Sequence, residues 1–473
     1  MDKRTKIVAT IGPSSWDLHV LQRMINAGMN VARVNGAFAD VKELERVGKL
    51  IRGLDSNTGL MLDIKGHEVR LNKFQDPVDI KKGDEVIIGS GPHDPIYPIT
   101  YPEVYKEISA GQIIYVDKGE VVLKVEKISD GKIYCQVLNG TQIKGGKGMN
   151  FPGAKLRNPA ITDRDVEQIR FVTAHGWEFV AASFIRNKED IITVKKYLKD
   201  SETEIIAKIE DQQGIDNFDE ILEESYGIMI ARGDMGSEIP LERLPFIQKE
   251  ITYRCNQAGK PVITATNMLE SMTEKIFPTR AEVTDVANAV LDGTDAIMTS
   301  GETSSGKYPV ESIETMSRIA HENEQYLVPQ IIDQIAYKHD IVSNAIANAA
   351  FEVTQSLSPN KIIVVTQTGN SARFIARLNL PVPIHVYTIN ETRKRQLLLT
   401  KGLTASVFPK LFYDRDEAVH EILKVSLENR IVNSRDKILL VGRIAQSEKK
   451  KPFFAHIFEY IDMVDYIEII RRI

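Results

Sequence analysis

Cysteine is scarce in this chain. Only Cys135 and Cys255 are cysteines among its 473 residues, and no C-x-x-C pair occurs. Two widely separated cysteines cannot form a disulfide framework, suit a reducing compartment and exclude a cysteine-rich metal site. We therefore expect hydrophobic cores to stabilise the fold, and the length is sufficient for about two to four domains.

Long apolar runs and an excess of basic residues are also missing. No segment approaches the length of a membrane span, and the apolar run 7–11 is too short for a signal peptide. Lysine and arginine together number 60 against 65 acidic residues, which gives a formal net charge of −5. We therefore expect a soluble, cytoplasmic protein whose main partners are neither membranes nor nucleic acids.

The segment 205–236 carries the clearest chemical pattern. Two apolar runs, each followed by charged residues, flank an amphipathic helix pattern, which predicts a strand–helix–strand unit. Lys208 and Glu210 lie two positions apart in a strand and share a face, and Asp234 follows the next strand. Acids at the ends of successive parallel strands suit a divalent cation in a barrel enzyme. Ion pairs that only cap a strand produce the same pattern, so this segment alone leaves both interpretations open.

Strand and helix patterns along the chain predict an α/β fold in three parts. Segments 1–67 and 160–327 contain eight strand patterns separated by helix patterns, which predicts a (β/α)8 TIM barrel. Residues 68–159 have short alternating runs with Gly, Pro and Asp turns, so we expect an inserted small β-barrel that acts as a lid. Residues 328–473 predict a C-terminal α/β domain with a mostly parallel open sheet, and edge strands over 453–473. The predicted barrel strands are Lys6–Gly12, Asn30–Asn35, Leu60–Asp63, Phe179–Phe184, Glu204–Glu210, Gly227–Asp234, Pro261–Asn267 and Ala296–Glu302.

Polar residues cluster at the C-terminal ends of these strands, where a barrel builds its active site. They combine carboxylates, cations and hydroxyls, which suits phosphoryl transfer because cations neutralise phosphate charge and hydroxyls position substrate or water. The two tryptophans, Trp16 and Trp177, are interpreted as packing residues. The strand-end residues are Arg33, Asn35, Asp63, Lys65, Lys208, Glu210, Asp234, Thr266 and Ser300.

Several separate motifs along the chain are typical of one known family. They include T-K-I-V-A-T-I-G-P at 5–13, G-M-N-V-A-R at 28–33, K-G-M-N-F-P-G at 147–153, A-K-I-E at 207–210, I-A-R-G-D-M-G at 230–236, G-K-P-V-I-T-A-T-N-M-L-E-S-M at 259–272 and S-G-E-T at 300–303. With these motifs the chain resembles the pyruvate kinase family over nearly its whole length. The inserted β domain and the C-terminal domain, which would be regulatory, also fall where that family has them.

The resemblance implies transfer of the phosphoryl group of phosphoenolpyruvate to ADP in glycolysis, followed by protonation of the enolate to pyruvate. Glu210 and Asp234 would hold the catalytic Mg2+ (or Mn2+). Lys208 would stabilise the migrating phosphoryl group with the help of Arg33. These roles agree with the interpretation of the strand-end residues from their chemistry alone, because the negative phosphate and carboxylate of the substrate need positive groups beside them.

The resemblance also implies residues for the substrate carboxylate, the enolate and the nucleotide. Thr266 and the amides near Gly233 and Asp234 would bind the carboxylate. Thr266 and Ser300, through water, lie where enolate protonation needs donors. The nucleotide-side positions are Pro13, Asn35 and Lys147, of which Lys147 would arrive on the lid.

A K+ site is where the chain departs from the family pattern. The family commonly has N-F-S-H where this chain has Asn35-Gly36-Ala37-Phe38, so a serine hydroxyl that helps hold K+ is missing at Ala37. The remaining candidates form a depleted K+ site, and we expect weakened potassium activation. These candidates are Asn35, Asp63 and Ile64.

The C-terminal domain contains a loop that resembles the family's allosteric loop for sugar phosphates or nucleotides. It follows the strand pattern at 362–366 and offers hydroxyls and amides to a phosphate, although an ordinary strand-to-helix turn has the same composition. The resemblance further suggests a homotetramer. The candidate effector residues are Thr366, Thr368, Gly369, Asn370 and Ser371.

Three functions remain open from the sequence. The leading hypothesis is an active Mg2+-dependent pyruvate kinase; the second is a non-catalytic homologue that binds ligand in regulation or assembly. The third is a related barrel lyase acting on phosphoenolpyruvate or oxaloacetate, which the lid and Lys147 disfavour. The strand-end residues retained from the family argue against the second: Arg33, Lys208, Glu210, Asp234, Thr266 and Ser300.

Overall fold

A computed structural model describes residues 3–90, 96–332, 341–408, 415–443 and 453–458. Its β-strands are β1 (Lys6–Thr10), β2 (Val31–Asn35), β3 (Gly59–Ile64), β4 (Val78–Asp79), β5 (Glu85–Gly89), β6 (Ile96–Tyr97), β7 (Ile113–Val116), β8 (Val121–Ser129), β9 (Lys132–Asn139), β10 (Gln142–Ile143), β11 (Met149–Asn150), β12 (Phe179–Ala182), β13 (Glu204–Ile209), β14 (Gly227–Ala231), β15 (Val262–Ala265), β16 (Ala296–Thr299), β17 (Lys361–Val365), β18 (Ile384–Thr388), β19 (Leu403–Val407), β20 (Ile438–Arg443) and β21 (Phe453–Phe458).

The α-helices alternate with the strands in the barrel and in the C-terminal domain. They are α1 (Leu18–Ala27), α2 (Val41–Leu54), α3 (Asp163–Ala174), α4 (Lys188–Lys195), α5 (Gln212–Asp216), α6 (Phe218–Glu224), α7 (Arg232–Glu238), α8 (Leu244–Ala258), α9 (Arg280–Leu291), α10 (Gly301–Ser304), α11 (Pro309–Glu324), α12 (Ile341–Leu357), α13 (Asn370–Ala376), α14 (Glu391–Leu397) and α15 (Arg415–Glu428).

Eight parallel strands close into a barrel in the order β1-β16-β15-β14-β13-β12-β3-β2, which confirms the predicted (β/α)8 architecture. The strands are buried on both faces, as a parallel sheet covered by helices requires. Met61 and Phe179 belong to the core inside the barrel, whereas Leu62 and Val180 belong to the core between strands and helices. The alternation along each strand therefore builds two concentric apolar layers.

The β-rich insertion follows β3, as predicted. A curled six-stranded sheet has the order β11-β7-β8-β9-β5-β6, and β10 pairs with β4 in a second, small sheet. Alternating residues of β8 and β9, such as Val125 and Val137, form the separate core of this small domain. All of these strands lie between β3 and α3; the predicted boundaries at residues 67 and 159 stay a prediction.

The C-terminal domain contains the sheet β19-β18-β17-β20-β21, parallel except for the β20–β21 pair. This confirms the mostly parallel sheet and a terminal edge strand, while residues 459–473 lie outside the described part of the chain. The sequence interpretation omitted α14 and β19. The latter contains Thr and Ser and is only partly buried, so its apolar pattern is weak.

Six of the eight predicted barrel strands extend past the observed C-terminal ends, by one to three residues. The strand predicted to reach Asp234 ends at Ala231, and the next residues begin α7. Likewise β16 ends at Thr299 before the short α10. After β12 and β15 the backbone enters the left-handed region at Phe184 and Thr266, with φ of 52° and 70°, which ends the ladder. At these C-terminal ends the backbone therefore leaves the strand conformation earlier than the apolar composition of the segments predicts.

The opposite end of the barrel is closed by the segment of the C-terminal domain that links α14 to β19. Leu399 is fully buried and belongs to the core inside the barrel. The buried Lys401 ammonium donates to the Gly293 carbonyl at 2.7 Å. The C-terminal domain is thus packed directly into the end of the barrel that faces away from the candidate active site.

Candidate active site

Lys208, on β13, is buried among acceptors from neighbouring strands. Its Nζ lies 3.1 Å from Oδ1 of Asp63, 2.9 Å from Oε1 of Glu210 and 2.7 Å from Oγ of Ser183. Burial alone would lower the pKa of Lys208, but the two carboxylates outweigh it and raise the pKa above its ordinary value. The side chain is therefore a fixed cation.

Arg33, on β2, shares the carboxylate of Asp63 with Lys208. The Arg33 Nε and Nη2 atoms lie 2.7 and 2.6 Å from Oδ2 of Asp63, and Nη1 donates to Oγ1 of Thr10 at 2.6 Å. Burial opposes ionisation of Asp63, yet the two cations outweigh it and hold its pKa below the ordinary value. One carboxylate thus sets the spacing of two cations.

Glu210, directly after β13, is almost completely buried and only partly satisfied. Its Oε2 accepts from the Phe184 amide at 2.6 Å, whereas Oε1 has the ion-pair contact with Lys208 but no well-aligned hydrogen bond. Burial raises the pKa of Glu210 to about 7; Lys208 opposes this rise and Asp234 adds to it. An under-satisfied buried carboxylate suits an additional positive charge.

Asp234 lies in the first turn of α7, beside this cluster. It is half-buried, and its charge influences the pKa values of both Lys208 and Glu210. Among the described residues, no group of three or more His, Cys, Asp or Glu side chains could hold a metal ion together. Two carboxylates from successive strands nevertheless fit Mg2+, which commonly takes one or two carboxylates and keeps several waters.

Thr266 and Gly233 are in contact. The Gly233 amide donates to Oγ1 of Thr266 at 2.7 Å, and that hydroxyl donates to the Ala265 carbonyl at 2.6 Å. Arg232 holds this turn because its Nη2 donates to the Thr266 carbonyl at 2.6 Å and Nη1 pairs with Asp285 at 2.7 Å. A residue with φ of 70° is strained when β-branched, and such strain is typical of functional sites.

Ser300 follows β16 and lines a cleft that also includes Arg33 of the cation cluster. Its amide donates to Oε2 of the buried Glu302 at 2.7 Å, which fixes the start of α10. The cleft has a volume of about 760 Å3. Among its lining residues are Pro13, Arg33, Asn35 and Ser300, which the sequence analysis had grouped at the active site.

Two aromatic residues also line this cleft. Phe38 is 89% exposed and Trp16 is 39% exposed, whereas Trp177 packs in the core as expected. The Arg46 guanidinium lies over the Trp16 ring, 4.2 Å from its centroid, and forms a two-point ion pair with Glu43. Trp16 therefore lies at the cleft surface, contrary to the interpretation as a packing residue.

Lys147 is not part of the cluster in this conformation. Its Nζ lies 2.8 Å from Oδ2 of Asp117, within the lid domain. Asp117 and Lys118 occupy a left-handed turn, with φ of 52° and 59°.

The candidate K+ ligands already have partners. Oδ1 of Asn35 accepts from the Ala37 amide at 3.1 Å, and the Ile64 carbonyl accepts from Oγ of Ser183 at 2.7 Å. Both oxygens of Asp63 contact cations. These contacts would compete with a bound K+ ion.

The candidate effector loop lies between β17 and α13. Oγ1 of Thr366 accepts from the Gly369 amide at 2.9 Å, and Arg373 donates to Oδ1 of Asn370. Arg373 also donates to the Gly259 carbonyl of the barrel at 3.1 Å. The loop hydroxyls and amides thus partly satisfy each other, and the loop contacts the barrel.

Sequence reasoning missed the residues that hold the cluster together. Ser183 and Phe184 follow β12, and Thr10 ends β1, yet none of these was assigned a role. Ser183 and Thr10 are small hydroxyl residues next to apolar strands and give no charge signal. Their position directly at a strand C-terminus is the one signal that could have identified them.

Comparison with known proteins places the chain beside one family. The family model described as "Pyruvate kinase, barrel domain" matches residues 2–313, and "Pyruvate kinase, alpha/beta domain" matches residues 344–452. A pyruvate kinase of Clostridium perfringens is 39% identical over 459 residues, covering 93% of this chain and 96% of the relative. One of Staphylococcus epidermidis is 37% identical over 461 residues, covering 94% and 79% respectively. A crystal structure of a pyruvate kinase from Cryptosporidium parvum superposes with a TM-score of 0.87 at 33% identity, covering 97% of this chain and 96% of that one.

Proposed function

Because the chain belongs to the pyruvate kinase family, we propose that the cluster of Arg33, Lys208 and Glu210 is where it transfers the phosphoryl group. The reaction of the family converts phosphoenolpyruvate and ADP to pyruvate and ATP in glycolysis. The observation that carries the assignment is the buried, fixed Lys208 ammonium beside an under-satisfied Glu210 carboxylate. Such a site favours a ligand that brings both a phosphate and a metal cation.

Glu210 and Asp234 would hold Mg2+ or Mn2+. The fit rests on Oε1 of Glu210, which is buried and has no well-aligned hydrogen-bond donor, and on the raised pKa of that carboxyl. When bound, a divalent cation supplies positive charge that neutralises phosphate oxygens and polarises the substrate. Asp63 is less suited as a ligand because two cations already share its oxygens.

Lys208 and Arg33 stabilise the charge of the phosphoryl group during transfer. Their common partner Asp63 holds both cations in place before substrate arrives, so little reorganisation is needed at the moment of reaction. Burial strengthens the interaction between these cations and phosphate oxygens, since water screens it less.

The substrate carboxylate would bind at the turn formed by Gly233, Asp234 and Thr266. The Gly233 amide now donates to the Thr266 hydroxyl. Binding therefore requires the carboxylate to replace that hydroxyl as acceptor of the Gly233 amide, and the Thr266 O–H, which now donates to the Ala265 carbonyl, to turn towards the substrate. With Ser300, the hydroxyl of Thr266 would then deliver a proton to the enolate through water.

The nucleotide would occupy the cleft of about 760 Å3 beside Pro13 and Asn35. The phosphates would lie towards Arg33, and the base towards the exposed rings of Trp16 and Phe38. Lys147 would join the nucleotide only if lid closure moved it away from Asp117.

Glu210→Gln is the experiment that tests the assignment. In a coupled assay with ADP, phosphoenolpyruvate and Mg2+, the unmodified protein forms pyruvate, and we expect kcat of the variant to fall by at least about 100-fold. The variant should unfold at the same temperature or higher, because it removes a buried charge. Ordinary activity in Glu210→Gln would refute the assignment, and the Glu45→Gln surface variant is the matched control.

Potassium activation would be weak. The oxygens of Asn35, Asp63 and Ile64 already have partners, and Ala37 offers no hydroxyl. We expect activity in a sodium-free tetraalkylammonium salt to approach that in KCl at equal ionic strength. A strong dependence on KCl would contradict this proposal.

A phosphorylated effector would bind at Thr366, Thr368 and Ser371, and the chain would function as a cytoplasmic homotetramer. Some hydrogen bonds within the loop, notably the one from the Gly369 amide to Oγ1 of Thr366, would have to be replaced by hydrogen bonds to the phosphate. Thermal unfolding in the presence of sugar phosphates and AMP tests the effector, and unchanged midpoints would remove it. Sedimentation tests the subunit count. No helix in the described part of the chain is long and apolar enough to cross a membrane.

A further inference from the structure

The turn after β12 touches both central side chains of the proposed site. Oγ of Ser183 accepts from Nζ of Lys208 at 2.7 Å and lies 2.7 Å from the Ile64 carbonyl, to which it donates. The next residue, Phe184, has a φ of 52° and donates its amide to Oε2 of Glu210 at 2.6 Å.

We propose that Ser183 is a positioning residue for phosphoryl transfer: it fixes the direction of the Lys208 ammonium. The inference rests on the proposed role of Lys208. Ser183 acts through Lys208, because its hydroxyl accepts from the ammonium and donates to the Ile64 carbonyl, with Oδ1 of Asp63 at a longer 3.4 Å.

The hydrogen-bonding capacity of the ammonium supports this role. A lysine ammonium has three N–H donors on a flexible four-carbon chain. Here it donates hydrogen bonds to Oδ1 of Asp63 and Oγ of Ser183, and it has an ion-pair contact with Oε1 of Glu210. The Ser183 contact is the shortest of the three. Removing the Ser183 hydroxyl leaves one hydrogen-bond acceptor, Asp63, beside the ion-pair contact with Glu210, and allows the ammonium to rotate about its chain.

The neutrality of Ser183 matters as much as its position. Two carboxylates already share the charge of Lys208, and a third would leave the cluster less able to attract a phosphate. A hydroxyl accepts a hydrogen bond without adding charge. Because Ser183 donates its own proton to the Ile64 carbonyl, its lone pairs are directed towards Lys208.

The backbone holds Ser183 in place. Phe184 occupies the left-handed region, which a bulky side chain rarely adopts, and its amide is bound by Glu210. Gly66, close to the Ser183 side chain on the neighbouring strand end, has a φ of 64°. Two tight turns therefore meet at Ser183, which makes it a rigid support rather than a mobile loop residue.

Ser183→Ala tests the proposal, with Ser225→Ala as matched control. Both serines are 4% exposed, and both donate to a backbone carbonyl, but the Ser225 hydroxyl donates to the carbonyls of Ile221 and Leu222 in α6, away from the proposed site. We expect Ser183→Ala to lower kcat about 10- to 100-fold with KM for phosphoenolpyruvate and ADP changed by less than about threefold. Its unfolding temperature should match that of Ser225→Ala.

Further variants distinguish a positioning role of Ser183 from a purely structural role. Ser183→Thr retains the hydroxyl and should recover most of the lost kcat. The proposal is overturned if Ser183→Ala keeps the kcat of Ser225→Ala, or if a folded Ser183→Thr is as impaired as Ser183→Ala. Lys208→Met separates a failure of the proposed function from a failure of the proposed role of Ser183. An active Lys208→Met refutes the proposed function, whereas an inactive Lys208→Met beside a fully active Ser183→Ala refutes this inference alone.

Discussion

The two ends of the barrel both bury a glutamate, but they satisfy it to different degrees. Glu178, at the end closed by the C-terminal domain, is 0% exposed and accepts from Arg52, Arg395 and the Leu60 amide at 2.6–2.7 Å. Glu210, at the catalytic end, is 1% exposed and has one oxygen without a well-aligned donor. At one end of the barrel the buried carboxylate therefore has all its hydrogen-bond partners and serves the structure. At the other end the buried carboxylate has an oxygen that can still bind a ligand.

The backbone turns at the two ends of the barrel also differ, in the type of residue that adopts the left-handed conformation. The turns that lead into β12, β15 and β16 use Gly176, Gly259 and Gly293 for their left-handed conformation, with φ of 63°, 63° and 92°. The turns that leave β12 and β15 place Phe184 and Thr266 in that region instead. Glycine adopts it without cost, whereas these side chains are strained. Bulky or β-branched residues in this strained conformation therefore occur where the chemistry is proposed, whereas Asp200, with a φ of 64°, is a left-handed polar residue in the turn before β13.

Glu178→Ala should produce the largest loss of stability. It would leave the Arg52 and Arg395 guanidiniums without their buried partner, and breaking a buried ion pair in this way costs about 3–5 kcal/mol. Denaturant unfolding measures the loss, and kcat per folded molecule should be nearly unchanged at low temperature. A normal midpoint would show that this joint is not essential to the fold, and Glu45→Ala on the exposed face of α2 is the matched control.

Leu399→Ala tests the apolar part of the same joint. The side chain is fully buried inside the barrel, and truncation of a buried leucine costs about 2–5 kcal/mol because a cavity remains. We expect a lower unfolding midpoint than in Leu357→Ala, whose side chain is exposed on α12. Equal midpoints for the two variants would contradict the view that the C-terminal domain closes the barrel.

Glu238→Gln extends the comparison to the lid side of the catalytic end. Burial raises the pKa of Glu238 to about 8, and its Oε1 accepts from Nδ2 of Asn150 at 2.8 Å. The folded protein therefore retains a proton that the unfolded chain loses near pH 4.5, so this group lowers stability as pH rises from about 4.5 to 8. In thermal unfolding at pH 5.5 and 8.5, the unfolding temperature of Glu238→Gln relative to the unmodified protein should be higher at pH 8.5 than at pH 5.5. A constant difference would refute the raised pKa.

Trp16→Ala should have the smallest effect. Base–aromatic stacking contributes about 1–3 kcal/mol in other proteins, and here one face of the ring is already covered by Arg46. We expect KM for ADP to rise severalfold, while KM for phosphoenolpyruvate, which is proposed to bind beside Lys208 and Thr266, stays the same. Steady-state kinetics with each substrate varied in turn measure both, and an unchanged KM for ADP would place the base elsewhere.

Sequence reasoning predicted the barrel and most of its charged residues, because both leave periodic or local signals. Runs such as 228–231 predict buried parallel strands, and Lys208, Glu210 and Asp234 follow such runs directly. It was less successful at the ends of strands, where Phe184 and Thr266 turn the backbone against their intrinsic preference. It also gave no indication that Leu399, which lies 389 residues after the end of β1, completes the core inside the barrel. Such contacts have no local signature.

By itself the amino-acid sequence determined the fold class, the order of the three parts and the residue types of the site. These properties follow from apolar periodicity and from charges placed at strand ends, which act over a few residues. Tertiary structure alone decided that Asp63 joins Arg33 to Lys208, that Ser183 supports the ammonium, and that the two buried glutamates differ. Those outcomes depend on distances between atoms of different strands, which closure of the barrel sets and which no short stretch of sequence encodes.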